Sequence, residues 1–360
     1  MSSSNAPFSV VVAGGGTAGH IEPALAVAEA LRDTHGASVS ALGTARGLET
    51  SLVPERGFEL HLIEPVPMPR KPNMDLVKLP FRVFKALQQT RRILKETGAQ
   101  AVAGFGGYVS APAYMAARSL GIPFFVHEAN ARAGMANKLG AKLGGTGLNA
   151  VAESGMPGEV VGIPIRAELG GGHDETAVER ARAQWNLEAD RRTILITGGS
   201  QGAVSVNATV VASLDELLGD GYQVVHAVGK KNPLPEARPG YTPVPFIEDM
   251  QAAYAAADLI VCRSGAMTVA EVTASGIPAI YVPLPHGNGE QALNARAVID
   301  AGAAILVEDA ELTPQRFVSE VRRILGDSTT YDEMARAARS STVGNAAGVI
   351  AQLIADAVGQ

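Results

Sequence analysis

One cysteine, one tryptophan and an aromatic share of only 5% are spread over 360 residues. The single thiol, Cys262, excludes an internal disulfide and a cysteine-based zinc site. No D-x-D motif occurs and no His, Asp or Glu cluster has metal-ligand spacing, so neither a resident metal nor another cofactor is expected. A G-x-S-x-G elbow and a Walker lysine are also missing, which argues against a hydrolase nucleophile and a P-loop. No apolar run is long enough to cross a bilayer, and Met1 to Phe8 has no basic stretch of the kind that opens a leader, so a cytosolic protein is expected. A net charge of −6 and the lack of any nucleic-acid motif leave no expectation of RNA or DNA binding.

What the chain has in quantity is glycine, alanine and valine, in short apolar runs that alternate with helical patterns. That is the sequence signature of α/β layers. Its length predicts two domains. The charge is uneven: residues 1–165 hold 15 Lys and Arg against 12 Asp and Glu, and residues 166–360 hold 15 against 24. Boundaries are placed accordingly at 1–165 and 166–340, with Gly170-Gly171-Gly172 in a flexible connection. A last helix, 341–360, is expected to cross back to the first domain.

Phe8 to Ala13 is an apolar run that breaks at Gly14-Gly15-Gly16-Thr17-Ala18-Gly19-His20 and continues as a helix. The glycines fit G-x-G-x-x-G, but a dinucleotide site needs an acid at the end of the next strand. Ala37 to Leu42 leads instead into Gly43-Thr44-Ala45-Arg46. What remains is a loop that lets a ligand approach the backbone closely. His20 opens the helix, where the positive dipole end favours a neutral ring able to take a proton. A second glycine-rich loop, Gly104 to Ser110, opens another helix. Pro123 to His127 then ends at Glu128-Ala129-Asn130, and a buried Glu128 with a raised pKa would compete with His20 as the base.

The second half repeats the pattern. Thr193 to Thr197 runs into Gly198-Gly199-Ser200-Gln201-Gly202, where Ser200 and backbone N–H groups can hold a phosphate oxygen. The run ending at Val261 breaks at Arg263-Ser264-Gly265 ahead of a helix over Ala266 to Ala274, a further seat for phosphate. Glu271, a turn in from Met267, can accept from a sugar hydroxyl, and the two together describe a nucleotide. Glu290, Gln291 and Asn294 gather at another helix mouth and suit a hydroxyl-rich ligand. Apart from these loops, Arg70 to Lys95 carries eight basic residues and one acid. Pro65 to Pro80 predicts a long loop, and Leu76, Leu79 and Phe81 interleaved with Lys78, Arg82 and Lys85 predict an interfacial membrane patch. Paired glycine loops and helix N-termini suit group transfer from an activated phosphate donor, with dipoles stabilising the departing diphosphate.

Read together, G-G-T-A-G-H (15–20), G-F-G-G-Y-V-S-A-P (104–112), H-E-A-N (127–130), V-G-I-P-I-R (161–166), G-G-S-Q-G-A (198–203), F-I-E-D-M (246–250), C-R-S-G-A-M-T-V-A-E (262–271) and E-Q-A-L-N-A (290–295) resemble the MurG family in order and spacing. These are the undecaprenyl-diphospho-muramoylpentapeptide β-N-acetylglucosaminyltransferases of cell-wall synthesis. The resemblance implies a GT-B fold, two doubly wound Rossmann-like domains facing a cleft. It implies inverting transfer of GlcNAc from UDP-GlcNAc to the C4 hydroxyl of the muramoyl sugar of lipid I, giving lipid II.

It further implies that Ser200 holds a phosphate, that the Ile247 backbone reads uracil, and that Ala266, Met267, Thr268, Val269 and Ala270 line the diphosphate. Glu271 would bind ribose and Gln291 the GlcNAc hydroxyls. Thr17, Ala18, Gly19, Asn130 and Arg166 would close on the donor. His20 would be the general base, and Gly106, Gly107, Tyr108, Ser110 and Glu128 would face the acceptor. The 70–95 stretch would dock peripherally on the cytoplasmic leaflet, with other cell-wall proteins as further partners. The chain departs from the family pattern at Ala18, Ala129, Ile163 and Glu290. The rival readings are another GT-B enzyme using UDP-GlcNAc, such as an epimerase, and a non-catalytic nucleotide-sugar-binding protein.

Overall fold

The computed structural model describes residues 7–66, 74–169, 174–199, 201–286, 289–341 and 344–359, the side chains of 74–78 excepted. The connection at Gly170 to Gly172 lies outside them. The chain divides into two compact units, Met1–Arg166 with Val343–Gln360 and Ala167–Thr342.

The first unit runs β1 (Ser9–Gly14), α1 (Ala18–His35), β2 (Ser38–Gly43), α2 (Glu49–Glu55), β3 (Glu59–Leu62), α3 (Met74–Glu96), β4 (Ala101–Gly106), α4 (Ser110–Leu120), β5 (Phe124–Glu128), α5 (Met135–Lys142), β6 (Thr146–Asn149) and β7 (Glu159–Val160). The strands form one parallel sheet in the order β3-β2-β1-β4-β5-β6-β7. Val10, Val11, Val12 and Ala13 of β1 are all buried, as expected of a central strand covered on both faces. The second unit runs α6 (Glu175–Trp185), β8 (Thr193–Thr197), α7 (Val204–Gly219), β9 (Gln223–Ala227), β10 (Tyr241–Val244), α8 (Met250–Ala256), β11 (Leu259–Cys262), α9 (Ala266–Ala274), β12 (Ala279–Tyr281), α10 (Glu290–Asn294), α11 (Arg296–Asp300), β13 (Ala304–Leu306), α12 (Pro314–Leu325) and α13 (Ser328–Ser340). Its parallel sheet has the order β10-β9-β8-β11-β12-β13. Counted within each unit, the first six strands follow the same path, 3-2-1-4-5-6.

The last helix, α14 (Ala346–Ala357), belongs to the first unit and packs on α1. Ile350, Ala351, Ile354 and Ala355 are fully buried there with Leu25 and Ala28. Truncating Ile354 to Ala is expected to cost about 2–5 kcal/mol.

The shared strand order fixes where ligands go. In each unit the path reverses between the first and fourth strands, and the crevice beyond their carboxyl ends is the preferred ligand site of an open α/β sheet. Gly14 and Gly106 pair at that point in the first unit, as Thr197 and Cys262 do in the second. One expectation fails. Pro65 to Pro80 is not a loop throughout, because α3 already begins at Met74 and carries Pro80 inside it. Pro80 is the seventh residue of that helix, past the four N–H groups that a helix start leaves unpaired, so it costs one backbone hydrogen bond. Ala86, Thr90 and Leu94, spaced by four, face the core.

Candidate functional site

In the first unit the β1–α1 loop and the β4–α4 loop lie against each other. Gly107 has φ +83°, and a Cβ there would stand 2.2 Å from the Gly15 carbonyl oxygen, so only glycine fits. Thr17 is the N-cap of α1 but makes no capping bond, and its hydroxyl turns to His20 Nδ1 at 3.2 Å. His20 Nδ1 also lies 3.2 Å from the Gly15 carbonyl oxygen. A carbonyl can only accept, so that contact places the ring proton on Nδ1 and leaves Nε2 as the acceptor. Nε2 is directed over Gly106, where an added Cβ would approach it to 2.9 Å. Tyr108, half exposed, borders Gly16. Thr17, Ala18, Gly19, His20, Gly106, Gly107 and Tyr108 are thus brought to one switch point.

Two neighbours play parts other than those expected. Ser110 is fully buried: its hydroxyl accepts from Gly106 N–H at 2.9 Å and lies 2.7 Å from the Gly106 carbonyl and 2.9 Å from that of Ala13. It shapes the loop and has no surface to offer an acceptor. Glu128 is buried, and both of its oxygens are engaged. One oxygen accepts from the Asn130 backbone and side chain at 2.9 and 3.1 Å, the other from Gly134 N–H and Asn137 Nδ2, both at 2.9 Å. Four donors occupy the carboxylate, which therefore anchors the Asn130 loop. Next to it, His127 donates from Nε2 to the Gly162 carbonyl, and burial lowers its pKa. Arg166 ends this unit, with a buried Nε 3.9 Å from Glu22.

Sequence reasoning missed Glu49. It is the first residue of α2 and is fully buried. It accepts from Gly16 N–H at 3.1 Å and from Thr44 N–H and Oγ1–H at 2.8 and 2.9 Å. Burial alone would raise its pKa. Hydrogen bonds from the backbone N–H groups of Glu49, Thr44 and Gly16 and from the Thr44 hydroxyl outweigh that and hold it below the usual carboxylate range. The acid that a dinucleotide loop would need at the end of β2 is indeed absent, yet an acid from the next helix reaches under the loop.

In the second unit α9 starts at Gly265 with no side-chain cap, and its first intrahelical bond runs from Val269 N–H to the Gly265 carbonyl. The amides of Ala266, Met267 and Thr268 precede that bond and point out of the helix end. Val269 departs from expectation: its N–H is spent and its side chain is in the core, and Ala270 lies beyond the amide cluster. Beneath the cluster, Ser264 Oγ is buried without a partner among the described residues. Glu271 is oriented by Tyr254, whose hydroxyl donates to it at 3.0 Å. Arg263, at the end of β11, donates to the Val282 and Pro283 carbonyls, to Asp309 and to Ser205. Gln291 accepts from Leu284 N–H at 2.9 Å and so ties α10 to the β12 loop. Ile247 is buried beside Phe246, whose ring carries Lys230 at 4.4 Å. Ser200 lies outside the described residues.

Gly202, after β8, lies against the end of a neutral network. Asn207 donates to the Val228 carbonyl at 2.9 Å, so its oxygen accepts from His226 Nε2–H at 3.0 Å. His226 Nδ1 in turn accepts from Tyr241 at 3.0 Å. Burial lowers the His226 pKa to about 4. Neither His226 nor Asn207 was singled out from sequence, because nothing in a strand pattern marks a buried polar relay.

On α3, Phe81 and Phe84 are 78% and 62% exposed, while Leu79 and Arg82 are half-buried. The side chains of Leu76 and Lys78 lie outside the described residues. Lys85 is not an uncompensated cation, since it pairs with Glu64 at 2.7 Å. Among the described residues no helix is long and apolar enough to cross a membrane, and no group of His, Cys, Asp and Glu is placed to hold a metal ion.

Comparison with known proteins follows this geometry. A family model for the glycosyltransferase family 28 N-terminal domain matches residues 10–144, and one for the C-terminal domain of the same family matches 193–350. The chain is 77% identical over its whole length, and that of its relative, to the UDP-N-acetylglucosamine--N-acetylmuramyl-(pentapeptide) pyrophosphoryl-undecaprenol N-acetylglucosamine transferase of Corynebacterium efficiens. It is 52% identical to the enzyme of the same name from Saccharopolyspora erythraea, with 98% of this chain and 95% of the relative covered. The crystal structure of Acinetobacter baumannii MurG superposes with a TM-score of 0.76 at 32% identity, over 97% of this chain and 100% of that one. Its two Rossmann-like units are the α/β GT-B architecture, and the chain belongs to the MurG family of N-acetylglucosaminyltransferases.

Proposed function

We propose that the protein transfers N-acetylglucosamine from UDP-GlcNAc to the C4 hydroxyl of the muramoyl sugar of lipid I, with inversion and without a metal, forming lipid II. His20 Nε2 takes the hydroxyl proton. The freed oxygen attacks the anomeric carbon as its bond to UDP breaks, and the diphosphate leaves with the bonding electrons. The amides of Ala266, Met267 and Thr268, with Ser200, receive that charge; each helix dipole contributes about 0.3–1 kcal/mol, up to about 2 when partly buried. Glu271 binds the ribose, the Ile247 backbone reads uracil, and Gln291 meets the sugar hydroxyls. Thr17 to Gly19, Asn130 and Arg166 complete the donor contacts. Gly106, Gly107 and Tyr108 hold the acceptor's diphosphate. The exposed aromatics of α3 dock peripherally on the cytoplasmic leaflet, where a lipid-linked acceptor resides.

The observation that carries this reading is the His20 ring, its Nδ1 turned to the Gly15 carbonyl and its Nε2 left over Gly106 at the switch point. A positioned base of this kind is worth roughly 10²–10⁴-fold. The test incubates the protein with UDP-GlcNAc and a lipid I analogue. UDP is released only when acceptor is present, and His20→Ala lowers turnover at least about 100-fold with UDP affinity nearly intact. Release without acceptor, or wild-type turnover in the variant, overturns the reading.

A further inference from the structure

We propose that Glu49 is a positioning residue for the reaction: a buried carboxylate that sets the geometry of the first glycine loop and, through it, the tautomer and orientation of the His20 ring. The inference rests on the assignment of His20 as base. Three donors converge on this carboxylate, and one of them is the amide of Gly16 in the loop itself. The same peptide group carries the Gly15 carbonyl, which contacts His20 Nδ1. The fit leaves no slack. A Cβ on Gly15 would lie 3.2 Å from Glu49 Oε1, and one on Gly43 or Gly47 would strike the Glu49 side chain at 2.5 or 1.7 Å. Glycines on three sides thus make room for a charge that reaches the loop from beneath.

The Gly15 carbonyl favours the form of His20 that is protonated at Nδ1, so holding that carbonyl in place keeps Nε2 free to accept. Glutamine keeps the size of Glu49 but cannot satisfy its partners. Its amide oxygen can take the two Thr44 donors, and its NH₂ group then faces Gly16 N–H, donor against donor. The loop loses its anchor while the sheet keeps its packing.

The experiment reads the His20 tautomer from the nitrogen and carbon shifts of its neutral ring by NMR in the full chain, beside kcat and KM for UDP-GlcNAc, in wild type, Glu49→Gln and Glu49→Asp. In Glu49→Gln the preference for the Nδ1-protonated tautomer is lost, and kcat falls about ten-fold or more at an unchanged KM for UDP-GlcNAc. A purely structural role would lower the amount of active protein without changing the tautomer. A wild-type tautomer in folded Glu49→Gln overturns the inference. Should that variant not fold, Glu49→Asp decides. Its carboxylate is kept but withdrawn by one methylene, so kcat drops about five-fold, and an unchanged kcat overturns the inference. The NMR readout needs no turnover. Failure of the transferase reading would appear separately, as wild-type activity in His20→Ala.

Discussion

The two units share a strand path and differ in what lies under the first glycine loop. In the first unit it is an anion: Glu49 accepts from Gly16 N–H. In the second it is a neutral relay, Tyr241 to His226 to Asn207 to the Val228 carbonyl, with Asn232 bridging that carbonyl to Gln201 at 2.7 and 2.9 Å. The difference follows the ligands proposed for each. A loop proposed to receive a leaving diphosphate gains nothing from a buried negative charge behind it, whereas a loop proposed to hold a histidine in one orientation gains an anchor. The same strand path thus carries an anion under the loop in one half and a neutral relay in the other.

Exchanging the scaffolds should break the pattern most severely. Asn207→Asp gives the second unit an anion where it has an amide. One oxygen of the new carboxylate keeps the His226 Nε2–H bond, and the other meets the Val228 carbonyl, which until then received a proton donor. That mismatch costs about 1–3 kcal/mol of stability, and UDP affinity is expected to fall at least about ten-fold by repulsion of the diphosphate. Chemical denaturation and calorimetric titration with UDP measure the two. Wild-type UDP affinity in folded Asn207→Asp would remove the electrostatic distinction between the units.

Acid should separate the units next. His226 has a folded pKa of about 4, below the unfolded value of about 6.5. As pH falls, the unfolded chain therefore takes up the proton first. Stability is intact above about pH 6.5 and is lost progressively toward pH 4, by about 3 kcal/mol in total. Glu49 is depressed, so its contribution is intact above the ordinary carboxylate pKa of about 4.3 and fades only below it. The second unit should loosen first. Trp185, the single tryptophan, is buried in α6 of that unit and reports on it alone. Its fluorescence-detected midpoint in urea should fall between pH 7 and 4.5, and His226→Gln should flatten the trend. An unchanged slope in that variant assigns the acid sensitivity elsewhere.

A third contrast concerns surface. Phe81 and Phe84 of the first unit are exposed aromatics on a basic helix, while the second unit's exposed apolar residues, such as Val204 and Leu284, lie by its loops. Replacing both phenylalanines by Ser should weaken binding to anionic phospholipid vesicles about ten-fold or more. Val204→Ser should have no effect, and Lys85→Gln less than about two-fold, because Glu64 already compensates that ammonium. Equal losses from Val204→Ser would mean that the first unit is not the docking side.

How much of this was legible beforehand divides along physical lines. Strand runs, glycine breaks and helix starts gave both sheets and both switch points, since each is written locally in period and turn chemistry. His20, Gly106 and the amides of Ala266 to Thr268 followed from position at strand ends. Ser110 and Glu128 were expected to face an acceptor, and the structure engages their polar atoms within their own loops, because sequence shows which residues lie at a strand end and not how many partners meet them there. Glu49 escaped notice because its partners, Thr44 and Gly16, are 5 and 33 residues away and only the folded loop brings all three together. Pro80 suggested a loop where the apolar spacing of Ala86, Thr90 and Leu94 had already committed the chain to a helix.

The smallest expected effect tests the second unit by a single atom. Tyr254 is buried, and its hydroxyl donates to Glu271 at 3.0 Å. Burial, and then the adjacent carboxylate, keep that phenol protonated far above its usual range, so it serves as a donor at any working pH. Tyr254→Phe removes the donor and keeps the ring's packing. Glu271 then loses one restraint on the orientation in which it is proposed to meet the ribose, a change worth about 1 kcal/mol. KM for UDP-GlcNAc should rise about five-fold with kcat within about two-fold, since ribose contacts are made equally in the ground and transition states. No comparable change is expected at His20, whose restraint comes from the other unit's anion. A fall in kcat at constant KM in Tyr254→Phe would instead place Glu271 in the chemical step, and the division of labour between the two loops would have to be redrawn.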